Sequence, residues 1–487
     1  MQKLRPSLPD IIFISVFIIA LASGSQMLGI DSDLGRHLAL GNYILDERII
    51  PTRDMLSHTQ AGFSRPPYEW LSQVIFAIAY RLLNLDGVIL LTALALAITF
   101  ALVYKYSSLR SDSPLPALLI TFLVVGASII HWLPRPHIIT FLLLVIWIEA
   151  LEKLANGELT KKLYVFPIIM LFWANLHGGF VFGILVWLAY FAGWLWDTPQ
   201  GKSNRQIGKS LIIAGVTSLM ATVMTPDLWH NWDAVLNNKS AFILNRTVET
   251  MRPDLSDLSI FPYAFLLVLL FFFFVVNRKT VKASHVFLMI GFGMMSLLMA
   301  RNIPLFALAC APILSRNAGD YLSRFKLWER INKRFAGFGE IATLSVWPIV
   351  AAIFAVVYFA VFNFKYERSF YQFDPTVFPV KATAYVQKHL LQGNMFNDFN
   401  WGGYLEYKLF PKNKVFLDSQ SDFYGEHLIR EYDQIIAANG DWVMLLDKYQ
   451  VEWAIIPSQA SLKQALQNKL NWDIVYQDAI ATILRKP

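Results

Sequence analysis

The fold is decided by residues 11–33, which read IIFISVFIIALASGSQMLGIDSD. Residues 11–30 are mostly apolar, and a helix needs about 20 such residues to cross a membrane. Two acids, Asp31 and Asp33, follow this run at once. The apolar stretch is too long for a cleaved signal, and no small-residue cleavage site follows it cleanly. We therefore expect a first membrane span with an acidic loop immediately after it.

The composition agrees with a membrane protein. Of 487 residues, 55% are hydrophobic and only 16% are charged, whereas a soluble globular chain carries roughly 25% charged residues. These values exclude a disordered protein, a nucleic-acid-binding tail and an ordinary cytosolic enzyme. The single cysteine, Cys310, rules out an intrachain disulfide.

The hydropathy pattern predicts an α-helical polytopic membrane protein with about eleven transmembrane helices. The predicted spans are 11–30, 87–104, 114–133, 138–152, 163–176, 179–196, 210–225, 259–277, 283–300, 303–315 and 343–363. No Asp, Glu, Lys or Arg lies near the middle of any predicted span. Because ion-coupled transporters and proton pumps usually need such residues there, the pattern argues against both.

Charge in the loops predicts the orientation. Lys and Arg are more frequent in alternate loops that include 105–110 and 153–162, which places those loops and the N-terminus in the cytoplasm. This pattern holds only if 69–83 is a helix at the outer membrane surface rather than a span. Residues 31–86 then form the first outer loop, and the chain after residue 363 lies outside an inner (plasma) membrane.

The last part of the chain has a different composition. Residues 364–487 contain frequent charges and short apolar runs, which predict a periplasmic or extracellular α/β domain that follows the transmembrane domain 1–363. The segments NMFND, KVFLD, EWAIIPS, WDIVYQ and AIATILR are predicted strands, and 379–392, 424–438, 441–449 and 460–469 are predicted helices.

The acids at the start of the outer loop are the first candidates for chemistry. A carboxylate fixed at the membrane rim, such as Asp33, can act as a general base toward a hydroxyl group. Asp31 and Asp33 together could instead share a divalent cation such as Mg²⁺ or Mn²⁺. A third interpretation is structural, because either residue could cap the helix that opens with LGRHLALGNYIL. The spacing alone does not decide between them, and no cofactor is certain.

Cations and histidines occupy the outer ends of later spans. Arg135 and His137 follow the third span, His177 follows the fifth, and Arg301 follows the ninth. Positive charge at outer turns opposes the usual bias, and a phosphate group at this level is its natural partner. The alternative for each residue alone is a side chain that extends to the membrane surface.

The order of the motifs carries a resemblance. The loop contains Asp33-x-x-x-His37-x-x-x-Gly41, then Pro51-x-x-Asp54, then Arg65-Pro-Pro-Tyr-Glu69-Trp-Leu71. This series resembles the GT-C superfamily of polyprenyl-phosphate-dependent glycosyltransferases, which includes protein mannosyltransferases, lipid A aminoarabinose transferases and oligosaccharyltransferase catalytic subunits. The chain departs from the usual pattern at Leu34, where many members have Glu, and at Arg65, where they have Lys. It is nearest to largely uncharacterised bacterial multi-pass members that share EWLSQ, RNIPLFAL, FNDFNWGGYL and KVFLDSQSDFYGE.

The resemblance implies a membrane glycosyltransferase with inverting chemistry. Asp33 matches the loop acid that would be the catalytic carboxylate facing the acceptor. The donor would be a polyprenyl phosphate sugar, and the acceptor a glycan, lipid or protein hydroxyl. Metal use differs between branches of the superfamily, so Asp31 and Asp33 leave it open. The candidates for substrate binding are Asp31, His37, Asp54, Glu69, Arg135, His137, His177 and Arg301, although Asp54 and Glu69 could equally serve loop hydrogen bonding.

A second function from another class also fits the composition. The chain could be a non-enzymatic membrane scaffold or a transporter of lipid-linked glycans. An Asp33→Asn variant separates the two functions, because an enzyme should lose turnover while it still folds and a scaffold should be indifferent.

Overall fold

The computed structural model describes residues 5–111, 113–201, 204–236, 240–277, 281–328, 330–332 and 345–487. These residues fold mainly into α-helices, because an apolar run in lipid satisfies its backbone groups as a helix. The helices at the predicted spans are α1 Leu8–Ala22 with α2 Gly24–Ile30, α4 Trp70–Ser111, α5 Pro114–Ser128, α6 His137–Ala155, α7 Val165–Leu176, α8 Phe180–Asp197, α9 Arg205–Ala221, α12 Phe261–Val276, α13 Ala283–Leu298, α14 Ile303–Leu322 and α15 Trp347–Tyr366. The remaining helices are α3 Asp33–Glu47, α10 His230–Leu236, α11 Ala241–Leu244, α16 Val380–His389, α17 Gly402–Leu409, α18 Ser421–Ile436, α19 Trp442–Lys448 and α20 Ser461–Leu470. Residues 343 and 344, at the start of the last predicted span, lie outside the described residues.

Fewer helices than predicted are long enough to cross a membrane. Five of the described helices are long and apolar enough to cross a membrane, or six if α1 and α2, which are bent by 49°, form one span. The predicted count of eleven is therefore not confirmed. Two of the five, α12 and α15, have only 17% of their most apolar window buried. Their exposed Phe, Val and Ile side chains form an apolar surface that suits lipid rather than water.

Helix α4 is broken where the sequence predicts a change of role. Leu83 and Asn84 have non-helical backbone angles, with φ of −140° and 53°. The break separates the segment that begins at Trp70 from the segment that contains the predicted span 87–104. This agrees with the prediction that 69–83 is a separate helix, while its position at the membrane surface stays a prediction.

The last part of the chain forms a four-stranded sheet. Its strands are β1 Asn394–Asn397, β2 Val451–Pro457, β3 Asp473–Gln477 and β4 Ala481–Arg485, and they lie in the order β1-β2-β4-β3. Strands β1 and β2 are parallel, and the other two pairs are antiparallel. The predicted strand KVFLD is wrong. Val415 instead pairs with the first outer loop, donating its N–H to the Leu56 carbonyl at 3.0 Å and accepting the His58 N–H at 3.0 Å. The backbone of Val415 therefore pairs with this loop and not with a strand of the sheet.

The C-terminal residues 364–487, which are the predicted outer domain, pack directly on residues 31–86, the predicted first outer loop. A Cβ atom on Gly35 of α3 would lie 2.0 Å from the Gly403 carbonyl oxygen, and one on Gly403 would lie 2.3 Å from the Ser32 carbonyl oxygen. The two glycines therefore allow α17 to touch the start of α3. One apolar core runs without interruption from the membrane helices to Phe373, Trp401 and other residues of the outer domain. This contact positions residues of the outer domain beside Asp33.

Candidate active site

The turn before α3 separates the roles of its two acids. Asp31 Oδ1 accepts the Asp33 backbone N–H at 3.1 Å, so Asp31, which precedes the N-cap residue, binds the first N–H of α3. Ser32, the residue before the helix, makes no capping hydrogen bond with its side chain. The Asp33 carboxylate instead lines a cavity, where it accepts a hydrogen bond from the Ser419 hydroxyl. Asp33 thus lines the cavity with its Oδ1 already hydrogen-bonded.

Two guanidinium groups hold the Asp33 carboxylate. Arg135 Nη1 lies 3.2 Å from Asp33 Oδ2, and Arg36 Nη1 lies 3.7 Å from Asp33 Oδ1. Burial opposes ionisation of Asp33, but Arg135 and then Arg36 outweigh it, so the pKa of this carboxyl falls well below its usual range. Asp33 is consequently ionised at neutral pH.

Arg135 contacts both Asp31 and Asp33, the pair that the sequence offers as possible ligands of a divalent cation. Its Nε contacts Asp31 Oδ2 while its Nη1 contacts Asp33, and Glu249 Oε2 lies 3.6 Å from the same Nη1. The guanidinium therefore lies between the two carboxylates that a cation would need. Among the described residues, no group of three or more His, Cys, Asp or Glu side chains is arranged to hold a metal. This donor set does not fit a divalent cation.

The cavity measures about 410 Å³ and lies at the predicted outer ends of the helices. Seven of the nine predicted site residues line it, and they are Asp33, His37, Glu69, Arg135, His137, His177 and Arg301. The other two predicted residues do not reach it. Asp31 contacts Arg135 but does not line the cavity. Asp54 forms an ion pair with Arg65 at 2.6 Å and accepts a hydrogen bond from the Ser57 hydroxyl at 2.6 Å. Asp54 thus has the loop-bonding role that the sequence left open.

Histidines form one wall of the cavity. His177 Nδ1 accepts the Gly179 N–H at 3.0 Å and lies 2.8 Å from the Thr140 hydroxyl, so the neutral ring carries its proton on Nε2. Burial and then Arg301 lower the pKa of His177 to about 3, so this ring is neutral at physiological pH. His137 Nε2 donates to the His131 carbonyl at 2.9 Å, and the two rings lie 4.3 Å apart.

Glu69 lies between two imidazoles. Its Oε1 is 3.6 Å from His177 Nε2, and its Oε2 is 4.0 Å from His37 Nδ1. Burial raises the pKa of Glu69 to about 7; Arg36 opposes the rise, and Asp33 adds to it. Glu69 is therefore a cavity acid that titrates near neutral pH.

The outer domain supplies residues that sequence reasoning missed. Ser419 binds Asp33, Gln420 accepts a hydrogen bond from Arg65 Nη2 at 2.6 Å, and Asp418 contacts the same nitrogen at 3.2 Å. The signal was the polar run Asp-Ser-Gln-Ser-Asp at 418–422, directly after the apolar Val415–Leu417 segment. Four other lining residues gave no separate signal: Arg36, Tyr68, His131 and Glu249.

Comparison with known proteins finds similarity at the level of structure. No family model matches the sequence, and no curated protein matches it. The fold is similar to the apo oligosaccharyltransferase of Archaeoglobus fulgidus, with a TM-score of 0.56 and 13% identity over 91% of this chain and 69% of that chain. AglB, the oligosaccharyltransferase of the same organism in complex with an inhibitory peptide and a dolichol-phosphate, gives a TM-score of 0.55 and 10% identity at the same coverage. A weaker likeness extends to ArnT from Cupriavidus metallidurans bound to undecaprenyl phosphate, with a TM-score of 0.47 and 11% identity over 97% of both chains.

These similarities define the fold of the protein and not its activity. This chain is a helical membrane protein whose fold is similar to that of the Archaeoglobus fulgidus oligosaccharyltransferases, so the architecture that the motif resemblance implied is confirmed. At 13% identity the likeness does not extend to the reaction.

Proposed function

We propose that this protein is a membrane glycosyltransferase that moves a sugar from a polyprenyl phosphate carrier to an acceptor hydroxyl. The reaction takes place on the outer face of the membrane, with the N-terminus in the cytoplasm. One observation carries the proposal: the ionised Asp33 and the Arg301 guanidinium line the same cavity at the outer helix ends. The GT-C fold supports it, because AglB was solved with both a dolichol-phosphate and a peptide.

Asp33 is the catalytic base in this scheme. The acceptor hydroxyl gives its proton to the Asp33 carboxylate as its oxygen attacks the anomeric carbon. The bond from that carbon to the phosphate oxygen breaks, and the polyprenyl phosphate leaves with the electron pair. A single displacement of this kind inverts the anomeric configuration.

Arg301 is the cation for the donor phosphate. Arg135 is already engaged by Asp31, Asp33 and Glu249. Arg301 also lines the cavity, yet it forms no ion pair with any carboxylate in the described part of the chain. A half-buried guanidinium without an anion suits a phosphate, and it stabilises the negative charge that develops on the leaving group.

The acceptor approaches from the side of the outer domain. A second cavity of about 430 Å³ is lined by residues of that domain, including Phe423 and Glu426. It shares Tyr68, Gln420 and Asp422 with the first cavity. The two cavities therefore adjoin at these three residues, and we propose that the acceptor hydroxyl reaches Asp33 from the second cavity.

A turnover assay tests the proposal. The full chain is reconstituted in vesicles with a polyprenyl phosphate that carries a radiolabelled hexose or aminosugar, and membrane extract from the host supplies acceptors. We expect transfer by the wild type and a loss of about 10³-fold in Asp33→Asn, within the usual range for a general base. Asp46→Asn is the matched control, because Asp46 lies on the same helix and pairs with Arg81 at the surface. Full transfer by a folded Asp33→Asn variant would contradict the assignment, and no transfer by the wild type would contradict the function.

A further inference from the structure

We propose that Glu69 is the proton store of this site: it receives from Asp33 the proton that the acceptor hydroxyl gives up, and His37 and His177 hold it in place. The inference rests on the proposed function and adds a residue to it. Glu69 acts through Asp33 and is therefore a positioning residue for the proton, not the group that touches the acceptor.

Asp33 is well placed to take a proton but poorly placed to keep it. Its carboxylate contacts Arg135 and Arg36 and accepts the Ser419 hydroxyl. All three contacts favour the ionised form, because each is a donor aimed at negative charge. A proton on Asp33 must leave before the next turnover.

Glu69 has the opposite surroundings. Glu69 lines the same cavity as Asp33, and its side chain is only 13% exposed. Within the described residues, no guanidinium forms an ion pair with it; its near partners are the rings of His37 and His177. Burial without a directly paired cation favours the protonated form of a carboxyl group.

His37 and His177 face the two carboxyl oxygens of Glu69. His177 directs its Nε2–H toward Glu69 Oε1, since Gly179 donates to its Nδ1. His37 Nδ1 is buried and has no hydrogen-bond partner among the described residues, and it faces Glu69 Oε2 at 4.0 Å. A protonated Glu69 can supply the hydrogen bond that His37 Nδ1 lacks after a small side-chain movement. His37 also lies one helical turn from Asp33 on α3, so the three groups follow one wall of the cavity.

Burial and the charged groups around Glu69 together set its pKa near neutral pH. Burial raises the pKa of Glu69 to about 7 against the opposing effect of Arg36. The titratable and charged groups that face it are Asp33, Arg36, His37, Arg135, His177 and Asp422. At neutral pH the carboxyl group can thus both accept and release a proton.

The step balances without any further reactant. The acceptor O–H bond breaks, the new bond from oxygen to the anomeric carbon forms, and the polyprenyl phosphate takes the electron pair of the broken bond. The proton moves to Asp33 and then to Glu69. It returns to water, or to the departing phosphate, when the cavity opens to products.

The pH dependence of kcat tests the inference with the full chain in vesicles. The wild type should lose turnover as the pH falls below about 7, because a protonated Glu69 cannot accept another proton. Glu69→Gln should lower kcat by about 10²-fold and remove this limb of the profile, and Glu69→Asp should restore the limb in part. Asp33→Asn is the comparison variant, and its low residual turnover should lack this limb, because Glu69 receives the proton only through Asp33.

Infrared difference spectra of the wild type and Glu69→Gln provide a readout that needs no activity. We expect one carboxyl group that titrates near pH 7 in the wild type and is missing from the variant. An active wild type whose pH limb is unchanged in Glu69→Gln would overturn the inference, as would a wild type with no carboxyl group titrating near pH 7. A wild type without transfer is a different result, since it defeats the proposed function itself.

Discussion

Two buried clusters of similar composition can be compared in the described part of the chain, and they lie at opposite ends of the helices. At the predicted inner end, Glu152 accepts Lys282 Nζ at 2.8 Å, the Tyr190 hydroxyl at 2.7 Å and His285 Nε2 at 2.9 Å. At the outer end, Glu69 also faces histidines, but at 3.6 and 4.0 Å, where it lines a cavity. Both clusters combine an acid with histidine, so residue types alone do not identify a site.

The difference lies in how completely the polar atoms are satisfied. Both oxygens of Glu152 are hydrogen-bonded, which is typical of an ion cluster that fastens helices together. Glu69 and the neighbouring His37 Nδ1 are left for a proton or a ligand. Unsatisfied buried groups beside a cavity are therefore the better indicator of chemistry in this fold.

The largest expected effect is on the inner cluster. Glu152→Ala leaves Lys282 and His285 without their acid, and breaking a buried pair in this way costs about 3 to 5 kcal/mol. We expect a much lower unfolding temperature in detergent, with an unchanged donor KM for the molecules that remain folded. A normally stable Glu152→Ala variant with impaired transfer would contradict the comparison, because the inner cluster would then be functional.

The outer cluster should respond to pH through Glu69. Its pKa in the folded protein, about 7, lies above 4.5, the usual pKa of a glutamate side chain. Between these two pH values the folded protein holds a proton that the unfolded chain releases, so the free energy of unfolding falls as the pH rises to about 7. The total fall from this group is at most about 3 kcal/mol. Thermal unfolding at pH 5 and pH 8 should show the fall in the wild type and much less of it in Glu69→Gln; equal falls in both would remove Glu69 as the cause.

Arg301 tests the phosphate side of the same cavity. Removing a hydrogen bond to a charged group costs about 1.5 to 3 kcal/mol, so Arg301→Gln should raise the donor KM roughly 10- to 150-fold. Arg81→Gln is the control, because Arg81 pairs with Asp46 at the exposed surface and such pairs contribute about 0 to 1 kcal/mol. An Arg301→Gln variant with the donor KM of the wild type would move the phosphate elsewhere.

The smallest effect concerns the contact that brings the outer domain to Asp33. Gly403→Ala forces α17 away from the Ser32 carbonyl, at a cost of about 1 to 3 kcal/mol. We expect easier proteolysis of the outer domain and lower turnover, since Ser419 moves with it. Gly291→Ala is the matched control, because a Cβ atom there meets nothing within 4 Å. Equal behaviour of the two variants would show that the close contact is unimportant.

The helices were predictable because each apolar run in lipid has one way to satisfy its backbone. The failure at KVFLD has a long-range cause, since Val415 pairs with Leu56 and His58 in the first outer loop. The site follows the same division. Asp33, Arg135 and Arg301 could be found because charge stands out at an outer span end. Glu249 could not, because only the folded chain brings it to Arg135. Ser419 belongs to the polar run 418–422, but nothing in the sequence of that run indicates its contact with Asp33.

The most direct test of the central claim is a cryo-EM map of the full chain in lipid nanodiscs with an added polyprenyl phosphate. The predicted result is a phosphate within hydrogen-bond distance of Arg301, in the cavity that Asp33 lines, with its isoprenoid tail between the helices. A phosphate bound away from this cavity, or a chain whose outer rim is closed with no lipid in it, would contradict the assignment of a glycosyltransferase site.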